Sequence, residues 1–183
     1  MRSSGASRYA KVAEGIWVGN AESTVDLMFL SDMDITAIIN LSGRSIEQVE
    51  DVDYFDYVLP NEELIESEFP RVLNKLESIS QYITALRSNG RCVLVNCNDG
   101  KNKCMLAVGY YLINKLKQDM SSVIWQLETL YFTSVEVQEE LDYNKKVEAF
   151  DEIDSKSFEL MNLRKVHKCL TMASFKRILK IKK

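Results

Sequence analysis

Residues 91–114 constrain the fold most, because they combine a strand pattern, a tight polar loop and a helical pattern. Residues 92–96 form a short apolar run, and residues 104–114 form a longer one. Between them lie Cys97, Gly100 and Lys103, with the cation six residues after the cysteine. In such a loop, backbone N–H groups of the turn and of the helix N-terminus point into one concavity and favour an anion. The sequence therefore predicts an anion-binding loop with Cys97 at its floor, where the local field favours the thiolate.

The segments before this loop alternate between strand and helix patterns. We predict a strand pair within 12–19, a helix at 21–30, a buried strand at 35–41, a strand at 54–59 ended by Pro60, and a helix at 69–86. This alternation predicts an α/β fold with a central, mostly parallel sheet flanked by helices. Cys97 then lies at the carboxyl end of a strand, where ligands bind in open α/β sheets.

Length and charge predict one domain with distinctive ends. A chain of 183 residues with 46% hydrophobic residues can bury one sizeable core. We predict a flexible arm at 1–10 and a single domain at 11–183, with an acidic insertion around 131–158. Residues 160–183 carry cations and no carboxylate side chain. Solvated helix surface is the simpler interpretation of both charged runs, and a docking tail is the alternative.

The cysteine and histidine content argues against a metal site. The four cysteines have no CxxC spacing and the single histidine is His167, so we expect no metal and no cofactor. We interpret Cys92 and Cys104 as packing residues, with trapping of an oxidised Cys97 as the alternative. No leading apolar segment suggests secretion. We expect an intracellular protein, cytoplasmic or nuclear, without a transmembrane segment or a nucleic-acid partner, and its oligomeric state stays open.

The loop resembles the signature of the cysteine-dependent phosphatases, which reads His-Cys, five residues, then Arg. Here Asn96 replaces the histidine, Cys97 is retained and Lys103 replaces the arginine. Residues 12–20 and 30–41 are similar to the first strands and helix of small dual-specificity phosphatases, and 174–179 resembles the closing helix of compact members, including viral ones. The resemblance implies the dual-specificity phosphatase fold over most of 12–130.

The resemblance also implies a role for individual residues. Cys97 corresponds to the nucleophile and Lys103 to the phosphate clamp. Glu63, shortly after Leu59-Pro60, stands where these enzymes carry the aspartate that protonates the leaving oxygen, although a solvated turn is the alternative. The phosphate-binding loop would consist of Asn98, Asp99, Gly100, Lys101, Asn102 and Lys103.

The exchanged residues weaken the chemistry that this signature performs. A guanidinium grips two phosphate oxygens as a planar fork, whereas the Lys103 ammonium is a point charge. Asn96 keeps a hydrogen-bonding side chain but removes an ionisable donor, and Glu63 is one methylene longer than aspartate. Asp99 places a negative charge in the loop, which opposes an incoming dianion unless the carboxylate points outward. These departures affect the clamp, the nucleophile and the acid together.

Three function classes remain open at this point. The favoured one is a pseudophosphatase that binds a phosphorylated protein through the retained loop with little or no turnover, because the exchanges damage both transition-state binding and nucleophile generation. The alternative is a slow or specialised dual-specificity phosphatase, or an inositol phosphate or phosphoinositide phosphatase, that uses Cys97. The Asp-Gly-Lys order at 99–101 resembles loops of inositol-directed members. A redox sensor built on Cys97 with Cys92 or Cys104 is the third class.

Overall fold

The structure, a computed structural model, describes residues 8–59, 69–100 and 102–130, with only the backbone at Phe69. The strands are β1 (Tyr9–Ala13), β2 (Ile16–Gly19), β3 (Ile35–Asn40), β4 (Asp53–Asp56) and β5 (Cys92–Asn96). The helices are α1 (Leu27–Asp32), α2 (Phe69–Ser88), α3 (Lys103–Asn114) and α4 (residues 120–130), with a 3-10 turn at Ala21–Thr24.

The five strands form one mixed sheet in the order β1-β2-β5-β3-β4. β1 pairs with β2 in antiparallel orientation, while β2 with β5, β5 with β3 and β3 with β4 are parallel. The predicted mostly parallel sheet is therefore confirmed. Because β5 is the central strand, the loop that follows it lies in the middle of the carboxyl edge of the sheet, where α/β proteins bind ligands.

Alternating side chains along β5 divide the interior into two layers. Val93 and Val95 pack in the larger core, which includes the apolar faces of α2, α3 and α4. Leu94 points to the opposite face and packs with Ile38 and Phe29, the last of these on α1. A strand presents successive side chains to opposite faces, so a continuous apolar run is buried on both. The predicted helices on the flanks of the sheet are confirmed.

α2 is amphipathic and ends where its sequence predicts. Its buried residues recur at helical spacing, namely Val72, Leu76, Ile79, Ile83 and Leu86. The helix ends at Ser88, and Gly90 follows with a φ of +73°, in the left-handed region. Glycine adopts this conformation without steric cost, so it commonly ends helices. The predicted helix at 69–86 is confirmed to within two residues.

The predicted single helix at 21–30 is wrong, because two separate caps divide the segment. The Asn20 side chain accepts from the Ser23 N–H at 3.1 Å and starts the 3-10 turn. The Asp26 carboxylate accepts from the Phe29 N–H, also at 3.1 Å, and starts α1. Short polar side chains at such positions satisfy the first N–H groups of a helix and fix where it begins.

Two predicted boundaries also differ from those in the structure. The strand predicted at 54–59 ends at Asp56, although the Tyr57 N–H still donates to the Asn40 carbonyl at 2.9 Å. β1 begins at Tyr9, inside the predicted arm at 1–10, because it pairs with β2. The acidic stretch 131–158 and the basic end of the chain lie outside the described residues.

Within 8–59, 69–100 and 102–130, no helix combines the length and the apolar character needed to cross a membrane.

Candidate phosphate-binding site

The loop after β5 is fastened to the end of β2. The Cys97 N–H donates to the Gly19 carbonyl at 3.1 Å. Gly100 has φ of +71°, and a Cβ placed there would lie 2.8 Å from the Asn20 nitrogen and 2.9 Å from the Gly19 carbonyl carbon. Both the dihedral angle and the close backbone approach require glycine at this position. The predicted tight turn between strand and helix is therefore present.

The Cys97 thiol is buried between two groups that affect it in opposite ways. Its Sγ lies 3.2 Å from the Cys104 Sγ and 3.1 Å from the Asp99 Oδ1. Only 2% of Cys97 is exposed, and Cys104 is fully buried in the first turn of α3. As a thiol, Cys97 can donate to the Asp99 carboxylate. As a thiolate, it can only accept, and Cys104 is then the donor.

The balance of these contacts lowers the pKa of Cys97. The largest cause is the hydrogen bond from the Cys104 side chain, and the Cys104 backbone N–H acts in the same direction. Burial and the Asp99 carboxylate oppose the shift. Burial, followed by the interaction with Cys97, raises the pKa of Cys104 well above its ordinary value. Cys97 is therefore the thiol of this pair that ionises first, and Cys104 is a hydrogen-bond donor as well as a packing residue.

We expect Cys104→Ala to raise the pKa of Cys97, because it removes the side-chain donor that stabilises the thiolate. The rate of alkylation by iodoacetamide, followed at the peptide that contains Cys97 by mass spectrometry, should then rise with pH only at higher pH than in wild type. Cys104→Ser is the control, because its hydroxyl can still donate. An unchanged pH profile in Cys104→Ala would show that this hydrogen bond does not govern the thiolate.

Asp99 points into the loop rather than outward. Its Oδ1 accepts from the Asn102 backbone N–H at 3.3 Å as well as from the Cys97 thiol. Its Oδ2 accepts from the Asn102 side-chain amide. The carboxylate thus contacts the Cys97 sulfur and accepts from an N–H group just before α3. Because the carboxylate does not point outward, its negative charge opposes the binding of a dianion in the loop.

Asn96 belongs to a polar network at the ends of three strands. We call Asn40, Asp56 and Asn96 the strand-end network, since they are register partners at the ends of β3, β4 and β5. The Asn96 Nδ2 donates to the Asn40 Oδ1 at 3.2 Å, and the Asn40 Nδ2 donates to the Asp56 Oδ1 at 2.6 Å. The residue that replaces the signature histidine therefore bonds across the sheet through its Nδ2.

Lys103 links the loop to the chain that leaves β4. Its Nζ donates to the Leu59 carbonyl at 3.0 Å, and the side chain is partly buried. Nearby, the Asn98 Nδ2 donates to the Ser42 carbonyl at 3.3 Å and ties the loop to the segment after β3. The Lys103 ammonium, at the position of the signature arginine, thus donates a hydrogen bond to a backbone carbonyl. That carbonyl belongs to Leu59, four positions before Glu63 in the sequence.

The structure brings part of the predicted site together and leaves part of it outside. Cys97, Asn98, Asp99, Gly100 and Asn102 lie between β5 and α3, and Lys103 is the first residue of α3. Glu63, Lys101 and His167 lie outside the described residues. No cluster of His, Cys, Asp and Glu in the described part of the chain could hold a metal ion.

Sequence reasoning missed the strand-end network and the donor role of Cys104. One signal was available for the network, because β3, β4 and β5 each end in Asn or Asp after an apolar or mixed run. Polar residues at the ends of adjacent parallel strands meet at the same edge of a sheet. The pairing of Cys97 with Cys104 has no such signal, because a spacing of seven residues does not specify the geometry of a loop.

No family model and no curated protein sequence matches this chain. Solved structures do match it. Human DUSP28 aligns with a TM-score of 0.60 at 15% identity, over 74% of this chain and 96% of that one. A mouse putative dual specificity phosphatase, complexed with zinc tungstate, gives 0.61 at 15% identity, over 79% and 95%. Human tyrosine phosphatase-like serine/threonine/tyrosine-interacting protein gives 0.55 at 17% identity, over 76% and 99%.

These similarities concern the backbone of the whole domain. The alignments cover nearly the whole length of the similar proteins, so the match extends over a complete domain of that type. At such low sequence identity the similarities establish the fold alone. Activity has to be argued from the residues of the site. The chain has the fold of the dual-specificity phosphatases.

Proposed function

We propose that this protein is an intracellular pseudophosphatase, which binds a phosphorylated protein through the loop 97–103 and hydrolyses it slowly or not at all. The observation that carries the proposal is the geometry of that loop. It keeps the cysteine, the glycine turn and the helix N-terminus, while the residues at the histidine and arginine positions make other bonds. Binding and turnover therefore depend on different parts of the loop.

Retained binding is supported by the backbone. α3 begins directly after the loop, and its N-cap residue Asn102 makes no side-chain capping bond. The first N–H groups of a helix need acceptors, and an anion supplies them favourably. Lys101 and Lys103 add positive charge to the same loop. A phosphate group fits this combination of donors and charge.

Loss of turnover is supported by the side chains. Phosphoryl transfer to a thiolate needs cations and donors placed around the equatorial oxygens of the transition state. Lys103 has no planar fork and is bonded to the Leu59 carbonyl. The Asn96 amide is used in the strand-end network. The Asp99 carboxylate adds a negative charge beside the nucleophile. The changes at Asn96 and Lys103 lower the rate of chemistry more than they lower binding, and the Asp99 charge opposes both.

The similar structures named above include a protein that binds an oxyanion and a protein named for its interactions. One is a complex with tungstate, a tetrahedral oxyanion, and another is named a phosphatase-like interacting protein. The fold is thus compatible with oxyanion binding and with a role in protein interaction. This range supports a binding function for a chain whose loop is altered.

A slow or specialised dual-specificity or inositol phosphate phosphatase is the second candidate, and one observation favours it. The pKa of Cys97 is lowered by the Cys104 hydrogen bond even though the signature histidine is absent. A thiolate is the nucleophilic form of cysteine. The chain therefore retains one requirement of catalysis, which makes a direct turnover measurement necessary.

We expect phosphorylated ligands to bind the loop in a manner that weakens with salt. The experiment titrates phosphotyrosine peptide, phosphothreonine peptide and an inositol phosphate into wild type and into the double variant Lys101→Ala, Lys103→Ala. Two screened cations are removed, so affinity should fall by about tenfold. The control is Lys11→Ala with Lys117→Asn, which removes two exposed lysines elsewhere and keeps a residue that tolerates the left-handed φ at position 117.

The outcomes separate the candidates. Binding without release of phosphate, equal in wild type and in Cys97→Ser, is the expected result for a pseudophosphatase. Equal binding by wild type and the loop double variant would move the site away from this loop. Binding of none of the ligands by either protein would remove both the phosphatase and the phosphate-reader functions. The ligand with the highest affinity identifies a protein or an inositol phosphate as the target class.

A further inference from the structure

We infer that the Asp99 carboxylate acts as an internal occupant of the phosphate loop, so that a phosphate binds only after Asp99 turns away. The inference rests on the proposed function and adds a residue that controls access to the same site. It starts from the contacts of one carboxylate, which bridges the floor of the loop and the start of α3.

The two oxygens of Asp99 use groups that a bound anion would need. Oδ1 accepts from the Cys97 thiol at 3.1 Å and from the Asn102 N–H at 3.3 Å, and Oδ2 accepts from the Asn102 amide. The Asn102 N–H immediately precedes the first turn of α3. A carboxylate at this place therefore has the charge and the bonds expected of an oxyanion held at a helix N-terminus.

The contact between Asp99 and the Cys97 sulfur, at 3.1 Å, means that a phosphate bound at Cys97 would meet the carboxylate. Cys97 is 2% exposed with Asp99 in this position. An external phosphate close to the sulfur would lie within a few ångströms of the carboxylate. Two negative charges at that distance repel each other strongly. The Asp99 side chain must rotate out of the loop before the phosphate can use the same donors.

The carboxylate also opposes ionisation of the Cys97 thiol. Among the causes that act on the Cys97 pKa, both the charge of Asp99 and its hydrogen bond favour the protonated thiol, in opposition to Cys104. One residue thus competes with the ligand and restrains the nucleophile. A side chain that only closed the turn would need to accept hydrogen bonds but would not need a charge.

Asp99→Asn distinguishes these two roles. Asparagine can still accept from the Asn102 N–H through its side-chain oxygen, so the turn is kept while the charge is removed. Asp99→Ala removes both. The matched control is Asp32→Asn, which removes an exposed carboxylate at the end of α1, just before β3 begins and therefore at the opposite edge of the sheet. Thermal unfolding of each variant checks that the domain is folded.

The measurements are titration with inorganic phosphate and protection of Cys97 from iodoacetamide. We expect phosphate to bind Asp99→Asn about tenfold more tightly than wild type or Asp32→Asn, because a charge repulsion at contact distance is removed. At fixed pH, Cys97 should be alkylated faster in Asp99→Asn, and phosphate should protect it there at concentrations that leave wild type unprotected.

Equal phosphate affinity in wild type and Asp99→Asn would overturn the inference and leave the proposed function standing. Asp99→Asn behaving as wild type while Asp99→Ala binds better would also overturn it, since charge would then not be the cause. Absence of phosphate binding in every variant, together with the failure of all phosphorylated ligands in the titration above, would remove the proposed function itself.

Discussion

Wild-type protein is expected to hydrolyse an aryl phosphate far more slowly than the ~1–10³ per second of ordinary enzymes, and Lys103→Arg with Asn96→His is expected to raise that rate. The arginine restores a bidentate clamp and the histidine restores an ionisable neighbour of the nucleophile. A placed donor of this kind is worth about a hundredfold or more, so we expect the pair to raise the rate by at least about a hundredfold.

The controls for this gain follow from the structure. Adding Cys97→Ser to the double variant should abolish the gained activity, because the nucleophile is removed. Asn96→His alone should lower the melting temperature, since Asn96 is fully buried and bonded to Asn40. A wild type that already turns over at an ordinary rate would show that the pseudophosphatase proposal is wrong. A double variant that stays folded and inactive would place the defect elsewhere in the site.

Asn40→Ala is expected to destabilise the fold by about 3 kcal/mol, because several buried groups would lose their partner together. The Asn40 side chain accepts from the Ser42 N–H at 3.0 Å and from Asn96, and donates to Asp56 and to the Arg44 carbonyl. Asn40 and Asn96 are each 1% exposed or less, so water does not easily replace these bonds. Unfolding in urea measures the change in free energy.

The matched control is Asn114→Ala. That side chain is half-buried on α3 and makes one hydrogen bond, to the Tyr110 carbonyl at 3.0 Å. We expect a loss below about 1 kcal/mol there, because water can satisfy the exposed groups. Equal losses in the two variants would mean that the strand-end network contributes no more than a single surface bond. It would then be a consequence of strand pairing rather than a support for the loop.

The elements that support the site could be predicted from local sequence. A continuous apolar run such as 93–95 is buried on both faces of a sheet, and apolar residues at helical spacing define α2. Gly100 marks the turn, and the order of strand, glycine turn and helix places Cys97 at the carboxyl edge. These features depend on residues close together in the chain. The helix at 21–30 was the exception, since two capping side chains divide it.

The chemistry of the site was decided by tertiary contacts. The sequence by itself determined which residues occupy the loop and that histidine and arginine are absent from the signature. Only the folded chain directed Lys103 to the Leu59 carbonyl and paired Asn96 with Asn40. Asn40 and Asn96 are 56 positions apart, and Leu59 and Lys103 are 44 positions apart. Side-chain direction depends on partners brought together by the sheet, whereas strand and helix formation depends on periodicity within each segment.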